Sequence, residues 1–218
     1  MWTERSSVCY APAMPPRPTP GTAPQRRRLL LETAAAEFAR AGYERASLNA
    51  VIRACGMSKS SFYHHFGAKA RLFDTVISEF GSELLRRLDP PAPEVLRGPH
   101  FWARIEALVG RLERLGQEPW TLDLGRLFYL PDAPAGSEGS LARAEAAIQG
   151  WLVRTLVVGR ECGQVRGDLP ASLQADLAMA VLRAMDRWAL RHAADADSGT
   201  REQILAAQMA ALRRLLGS

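Results

Sequence analysis

Between Ser47 and Phe66 the chain places two serines, each suited to open a helix, with a glycine between them. Ser47 precedes the run Leu48 to Cys55, and Ser58 precedes the run Lys59 to Phe66. A serine hydroxyl at such a position accepts a hydrogen bond from a first-turn N–H that otherwise lacks a partner. Gly56 breaks the first run. The segment therefore predicts two short helices joined by the turn Cys55-Gly56-Met57-Ser58, the spacing of a helix-turn-helix. Leu48, Val51 and Ile52 supply the packing face of the first helix, and Phe62 and Phe66 that of the second. Met57 plugs the turn. Lys59, Ser60, Ser61, Tyr63, His64 and His65 are left on or near the open faces of the second helix. A helix that enters a major groove needs hydrogen-bonding groups outside and apolar groups inside. Both lysines of the chain, Lys59 and Lys69, and two of its four histidines fall in this stretch.

Charge points the same way. Residues 1–70 carry ten Lys and Arg against four Asp and Glu, a balance of +6, whereas residues 71–218 carry eighteen against nineteen. A basic small module on a near-neutral body suits a polyanion, nucleic acid first, although a solvated basic face reads the same on charge alone. A helix upstream of the motif is predicted from about Gln25, with Leu30, Ala34, Phe38 and Ala41 on one face and Gly42 just past its end. Arg26, Arg27 and Arg28 crowd its first turn, where the helix dipole disfavours them and a negative partner would not.

Alanine and leucine dominate the remainder and strand signals are scarce, so the chain is read as all-α. Residues 1–24 are proline-rich and predict a disordered arm, within which Met14 is a second candidate start. Cys9, Cys55 and Cys162 fit neither a disulfide framework nor a metal-ligand spacing. No cofactor or metal site is expected. No apolar run is long enough for a bilayer and no apolar signal core opens the chain, which predicts a cytoplasmic protein without a membrane partner.

The stretch "SLNAVIRACGMSKSSFYHHFGAKARLF" resembles the tetracycline-repressor-like (TetR) family of transcriptional regulators. Ser47, Val51, Gly56, Ser58, Tyr63, His65, Phe66, Lys69 and Leu72 fall in register with the family pattern, as do Phe38 and Gly42 upstream. Cys55, Met57, Ser60 and Ile52 depart from it. Ser60 replaces a frequent glycine that lets the backbone approach DNA, which leaves base preference open. The resemblance implies a three-helix DNA-binding head over residues 25–70 and a C-terminal dimerisation and ligand-binding bundle over 71–218. It implies phosphate contacts from Ser47, Tyr63, His65 and Lys69, and base-edge contacts from Lys59, Ser60, Ser61 and His64. His65 and Tyr63 can equally be read as helix-packing residues. Lys69 has a physical warrant of its own: it opens a helix after Gly67, where a cation and free N–H groups can meet one phosphate.

In the body, helices are predicted over about 68–88, 101–115, 122–129, 141–162, 173–192 and 201–216. Ser172 and Thr200, the latter with Gln203, are the expected caps of the last two. Leu173, Leu177, Val181, Met185 and Trp188 form one apolar stripe, and Ile204, Leu205, Met209, Leu212, Leu215 and Leu216 another. They face the monomer core or, as the resemblance implies, a second copy, giving a homodimer through about 172–193 and 200–216. Trp102, Trp120, Phe128, Trp151, Cys162 and Trp188 are candidates to line a pocket for a small apolar ligand, with plain core as the alternative. Tyr129, Arg126 and His100 are further candidates.

The expected function is a DNA-binding transcriptional regulator, a repressor released from its operator by a small molecule. An activator or ligand-independent regulator of the same fold is the alternative. A helical interaction module and a thiol-dependent enzyme are more distant. The thiol reading needs Cys55 beside His64 or His65 with an orienting acid, and no acid is placed for that role. A zinc site fails too, because neighbouring helical residues point about 100° apart. The protein is expected not to be an enzyme.

Overall fold

The computed structural model describes residues 23–134, 139–192 and 198–218. Most of the predicted proline-rich arm, with Cys9 and Met14, lies outside the described residues. Among the described residues nine α-helices follow in order: α1 (Ala23–Ala41), α2 (Leu48–Ala54), α3 (Lys59–Phe66), α4 (Lys69–Leu88), α5 (Phe101–Leu115), α6 (Pro119–Phe128), α7 (Ser140–Glu161), α8 (Ala171–His192) and α9 (Ser198–Leu216). One 3₁₀ turn, Pro93–Leu96, interrupts the link between α4 and α5. Among the described residues there is no strand, only an isolated bridge between Val165 and Gly217. The chain is all-α.

Local chemistry sets the ends. α1 opens with Pro24 in its first turn, where the missing N–H removes no helical bond. It closes at Gly42, whose φ of +80° a side chain would strain. The hydroxyl of Ser47 accepts from Ala50 N–H at 3.2 Å, and that of Ser58 from Ser61 N–H at 3.1 Å. Gly56, at φ +62°, turns the chain between α2 and α3, and Met57 N–H returns to the Ile52 carbonyl at 3.1 Å. Three later starts differ from expectation. α6 begins at Pro119 rather than Leu122, again with proline at the first position. α8 and α9 begin at Ala171 and Ser198, so Ser172 and Thr200 lie inside first turns instead of capping them.

Two apolar cores result. The first joins Leu30, Leu31, Ala34 and Phe38 of α1 to Val51, Ile52, Phe62 and Phe66 of α2 and α3. It continues through Leu72, Phe73, Val76, Ile77 and Phe80 of α4 and takes in Trp120, Leu124 and Leu127 of α6. Phe62 is fully buried, and truncation of such a ring costs roughly 3–5 kcal/mol. The second core gathers Leu96, Phe101, Trp102, Leu152, Leu156, Ala175 and Ala178 with Met209, Leu212 and Leu216 of α9. α6 thus packs with the helix-turn-helix, and α7 to α9 form the far side of the molecule.

Candidate DNA-binding site

The first core dictates which side of α3 faces outward. With Phe62 and Phe66 buried, Lys59, Ser60, Ser61, Tyr63, His64 and His65 are all exposed. The Tyr63 ring rests edge-on against Phe62, with centroids 5.5 Å apart, while about half of its surface stays open. His64 and His65 stack edge-on at 5.5 Å, and His65 lies 6.5 Å from the Phe66 ring. α3 therefore presents a row of short polar donors and acceptors with a lysine at its start, a surface suited to base edges and phosphates.

Two helix N-termini flank this row. Ser47, at the start of α2, is exposed, and its own N–H donates to Glu37 Oε1 at 2.9 Å. Partial burial works against the Glu37 charge. Hydrogen bonds from Arg40 and from Ser47 N–H outweigh it and hold the carboxyl below its ordinary range. α4 starts after Ala68, which offers no side-chain acceptor to the first-turn N–H groups. Such an end attracts an anion. Lys69 stands at this end, half-buried, with Nζ donating to the Glu44 carbonyl at 2.8 Å and lying 5.3 Å over the Tyr43 ring. Arg71, two residues further on, is exposed and has no carboxylate partner among the described residues. Position alone could have marked it, since it shares the first turn of α4 with Lys69.

The arginine cluster of α1 behaves differently from expectation. Arg27 pairs with Glu79 of α4. Arg28 pairs with Glu32 at 2.6 Å and stacks over Phe80 and Trp120, 4.9 and 5.1 Å from the ring centroids. Two of the three guanidiniums thus join α1 to α4 and α6. The helix dipole penalty is met by internal carboxylates and rings.

Below the head, Asp132 grips the turn between α1 and α2. Its carboxylate accepts from Tyr43 N–H at 3.1 Å and from Glu44 N–H at 2.9 Å. Those two bonds, Glu44 first, hold its pKa below the ordinary aspartate value. Asp132 follows α6 by a few residues and has no periodic neighbour, so sequence pattern gives no sign of it.

The six pocket candidates do not come together. Trp120 and Phe128 belong to the first core, and Trp102, Trp151 and Cys162 to the second. Trp188 is exposed on α8, stacked on His192 at 4.3 Å. Buried Trp102 donates to the Gln164 carbonyl and partly buried Trp151 to the Pro91 carbonyl, both at 2.9 Å. Cavities instead open elsewhere. One, of about 370 Å³, lies between α4 and the start of α7, lined by Phe73, Asp74 and Leu141 among others. A larger groove lies between α6 and α8 and includes Tyr129 and Arg126, two of the further candidates. Cys55 is half-buried, and burial pushes its thiol up, away from the thiolate that nucleophilic chemistry needs. Among the described residues no three His, Cys, Asp or Glu converge to hold a metal ion, and no helix is long and apolar enough to cross a membrane.

Residues 30–76, from within α1 to the first half of α4, match the model of the bacterial regulatory proteins of the tetR family. The chain is 27% identical over 165 residues to the HTH-type transcriptional repressor DhaR of Mycobacterium sp. (strain GP1), covering 71% of this chain and 77% of that one. Its fold is similar to that of a TetR-family transcriptional regulator from Agrobacterium tumefaciens, with a TM-score of 0.64 at 17% identity over 89% and 99% of the two chains. It is also similar to AibR, solved in complex with isovaleryl coenzyme A and operator DNA, with a TM-score of 0.63 at 22% identity over 85% and 97%. The exposed polar row on α3 and the matched head make the chain a DNA-binding transcriptional regulator, with a head of the kind found in the tetR family of bacterial regulatory proteins.

Proposed function

We propose that the protein is a dimeric, cytoplasmic repressor that leaves its operator when a small molecule binds the body. The head, residues 25–70, reads DNA through α3, and residues 71–218 dimerise and sense. Lys59, Ser60, Ser61 and His64 meet base edges, while Ser47, Tyr63, His65 and Lys69 meet phosphates. The observation that carries this reading is the sidedness of α3, with Phe62 and Phe66 buried and every polar residue between them exposed. No catalytic role is assigned to any residue. Repression is drawn from DhaR and ligand control from AibR, each similar to this chain.

Support for a two-fold dimer lies on α8. Leu173 and Leu177, 45% and 39% exposed, lie one turn apart in the first half of α8 and form an apolar patch that a second copy would cover. The face of α9 available to a partner is the exposed row Ala206, Ala207 and Ala210, because Met209, Leu212 and Leu216 are spent in the monomer core. Two heads related by that axis read half-sites when their α3 helices stand about 34–36 Å apart.

The test is fluorescence anisotropy with duplex DNA from upstream of the protein's own gene, titrated with salt, for the wild type and for Tyr63→Ala/Lys69→Ala. Binding that exceeds scrambled DNA, falls steeply with salt and weakens in the double variant is expected. Absence of binding to either duplex at low salt would sink the proposal.

A further inference from the structure

We infer that the groove between α6 and α8 binds a phosphate-bearing small molecule, held by the guanidiniums of Arg126, Arg187 and Arg191. The inference deepens the ligand-release reading and rests on it only for its regulatory consequence. The two helices meet where Gly125 faces Leu190: a Cβ at Gly125 would stand 3.0 Å from Leu190 Cδ2, so only glycine permits this approach without a shift. Beside that contact opens a groove of about 700 Å³, lined by Arg126, Tyr129, Ala184, Arg187, Leu190 and Arg191. Small-molecule sites fall between about 300 and 1,000 Å³.

Half of that lining is cationic. Asp123 pairs with Arg126 at 3.2 Å, and Asp186 accepts from the Tyr129 hydroxyl at 3.0 Å. Arg187 and Arg191 have no carboxylate partner among the described residues. Arg191 directs Nε to the Arg187 carbonyl at 3.2 Å, which leaves its terminal nitrogens to the groove or to water. A plain solvated helix face interleaves opposite charges, as Arg183 does one turn earlier by pairing with Glu145 at 3.3 Å. Arg187 and Arg191 depart from that pattern. Like charges gathered in a concavity repel, and an anion relieves them. The two guanidinium forks without a carboxylate, beside the Arg126 fork that Asp123 shares, suit the oxygens of a phosphate or diphosphate. Leu190, Ala184 and the Tyr129 ring, with Arg187 6.0 Å above it, add apolar and planar surface for an organic part. The ligand is therefore a phosphate ester or anhydride carrying an apolar or aromatic group, rather than a neutral apolar compound.

Isothermal titration of the full chain with inorganic pyrophosphate, ADP and adenosine at low salt tests the site, without DNA present. ADP is expected to bind saturably and at least about tenfold more tightly than adenosine, with pyrophosphate also binding. Arg187→Ala/Arg191→Ala should lose about tenfold or more while its helical circular dichroism and Tm stay at the wild-type value. Arg187→Lys/Arg191→Lys, which keeps the charge but not the forks, should recover part of the loss. Flat titrations with both phosphates, or undiminished binding by the folded alanine variant, would overturn the inference. Operator binding by the same preparation is measured separately, so loss of DNA binding with intact ADP binding counts against the repressor reading alone.

Discussion

The ammonium of Lys69 donates to the backbone carbonyl of Glu44 over 2.8 Å, and the N–H of the same Glu44 donates to Asp132. One peptide turn thus joins the first residue of α4 to the loop after α6. Lys69 has a structural task beside the phosphate contact proposed for it. Lys69→Ala should therefore lower stability by about 1 kcal/mol through the lost hydrogen bond. It should also reduce the slope of log affinity against log salt by about 0.9 per lost phosphate contact. Lys69→Arg should restore the slope. A stability loss with an unchanged slope would leave Lys69 a turn anchor only.

Tyr63 separates the ring from the hydroxyl. Its ring packs against Phe62 while half the side chain stays open. Tyr63→Phe keeps the packing, so thermal unfolding should match the wild type. Operator affinity should fall on the order of tenfold, the cost of one hydrogen bond to a charged oxygen. Anisotropy titration beside a melting curve distinguishes this from a packing role, for which both measurements would stay put.

The head was legible from its sequence because its signals are local. Ser47 and Ser58 cap the helices that directly follow them, and Phe62 and Phe66 bury within a single helix. The long-range partners of Arg27 and Arg28 were not legible, because Glu79, Phe80 and Trp120 are distant in the chain and meet α1 only after folding. Periodicity marked α8 and α9 as apolar, yet it could not say that Met209 and Leu212 turn inward while Leu173 and Leu177 turn outward. The scattering of the pocket aromatics has the same cause: helical spacing gives the face of one helix and not which core that face meets. Asp132, a lone loop carboxylate, carries no pattern to read.

Gly42 makes the Asp132 contact testable. Its φ is +80°, and a Cβ there would stand 3.0 Å from Asp132 Oδ2. Gly56 has a similar φ of +62° with nothing within 4 Å of an added Cβ. Gly56→Ala should cost about 1–2 kcal/mol from backbone strain alone. Gly42→Ala carries the same strain and also displaces the carboxylate that caps Tyr43 and Glu44. Urea unfolding of both variants should place Gly42→Ala at the lower midpoint. Equal midpoints would mean that the Asp132 contact contributes nothing measurable.

Acid should weaken the junction between α4 and α6 in a defined window. Glu118 accepts from Arg87 and from the Trp120 indole at 2.7 Å, and these bonds hold its pKa down to about 2. An unfolded glutamate titrates near 4.5. The folded value lies below the unfolded one, so the unfolded chain binds the proton first as pH falls. The contribution of Glu118 is complete above the unfolded value and is lost as pH drops from there towards 2. Glu118→Gln removes the charge at every pH. Its melting temperature should lie below that of the wild type at neutral pH, and the gap should close as the buffer is taken down through that window. A gap that stays constant with pH would show that Glu118 acts through its packing and hydrogen-bond geometry and not through its charge.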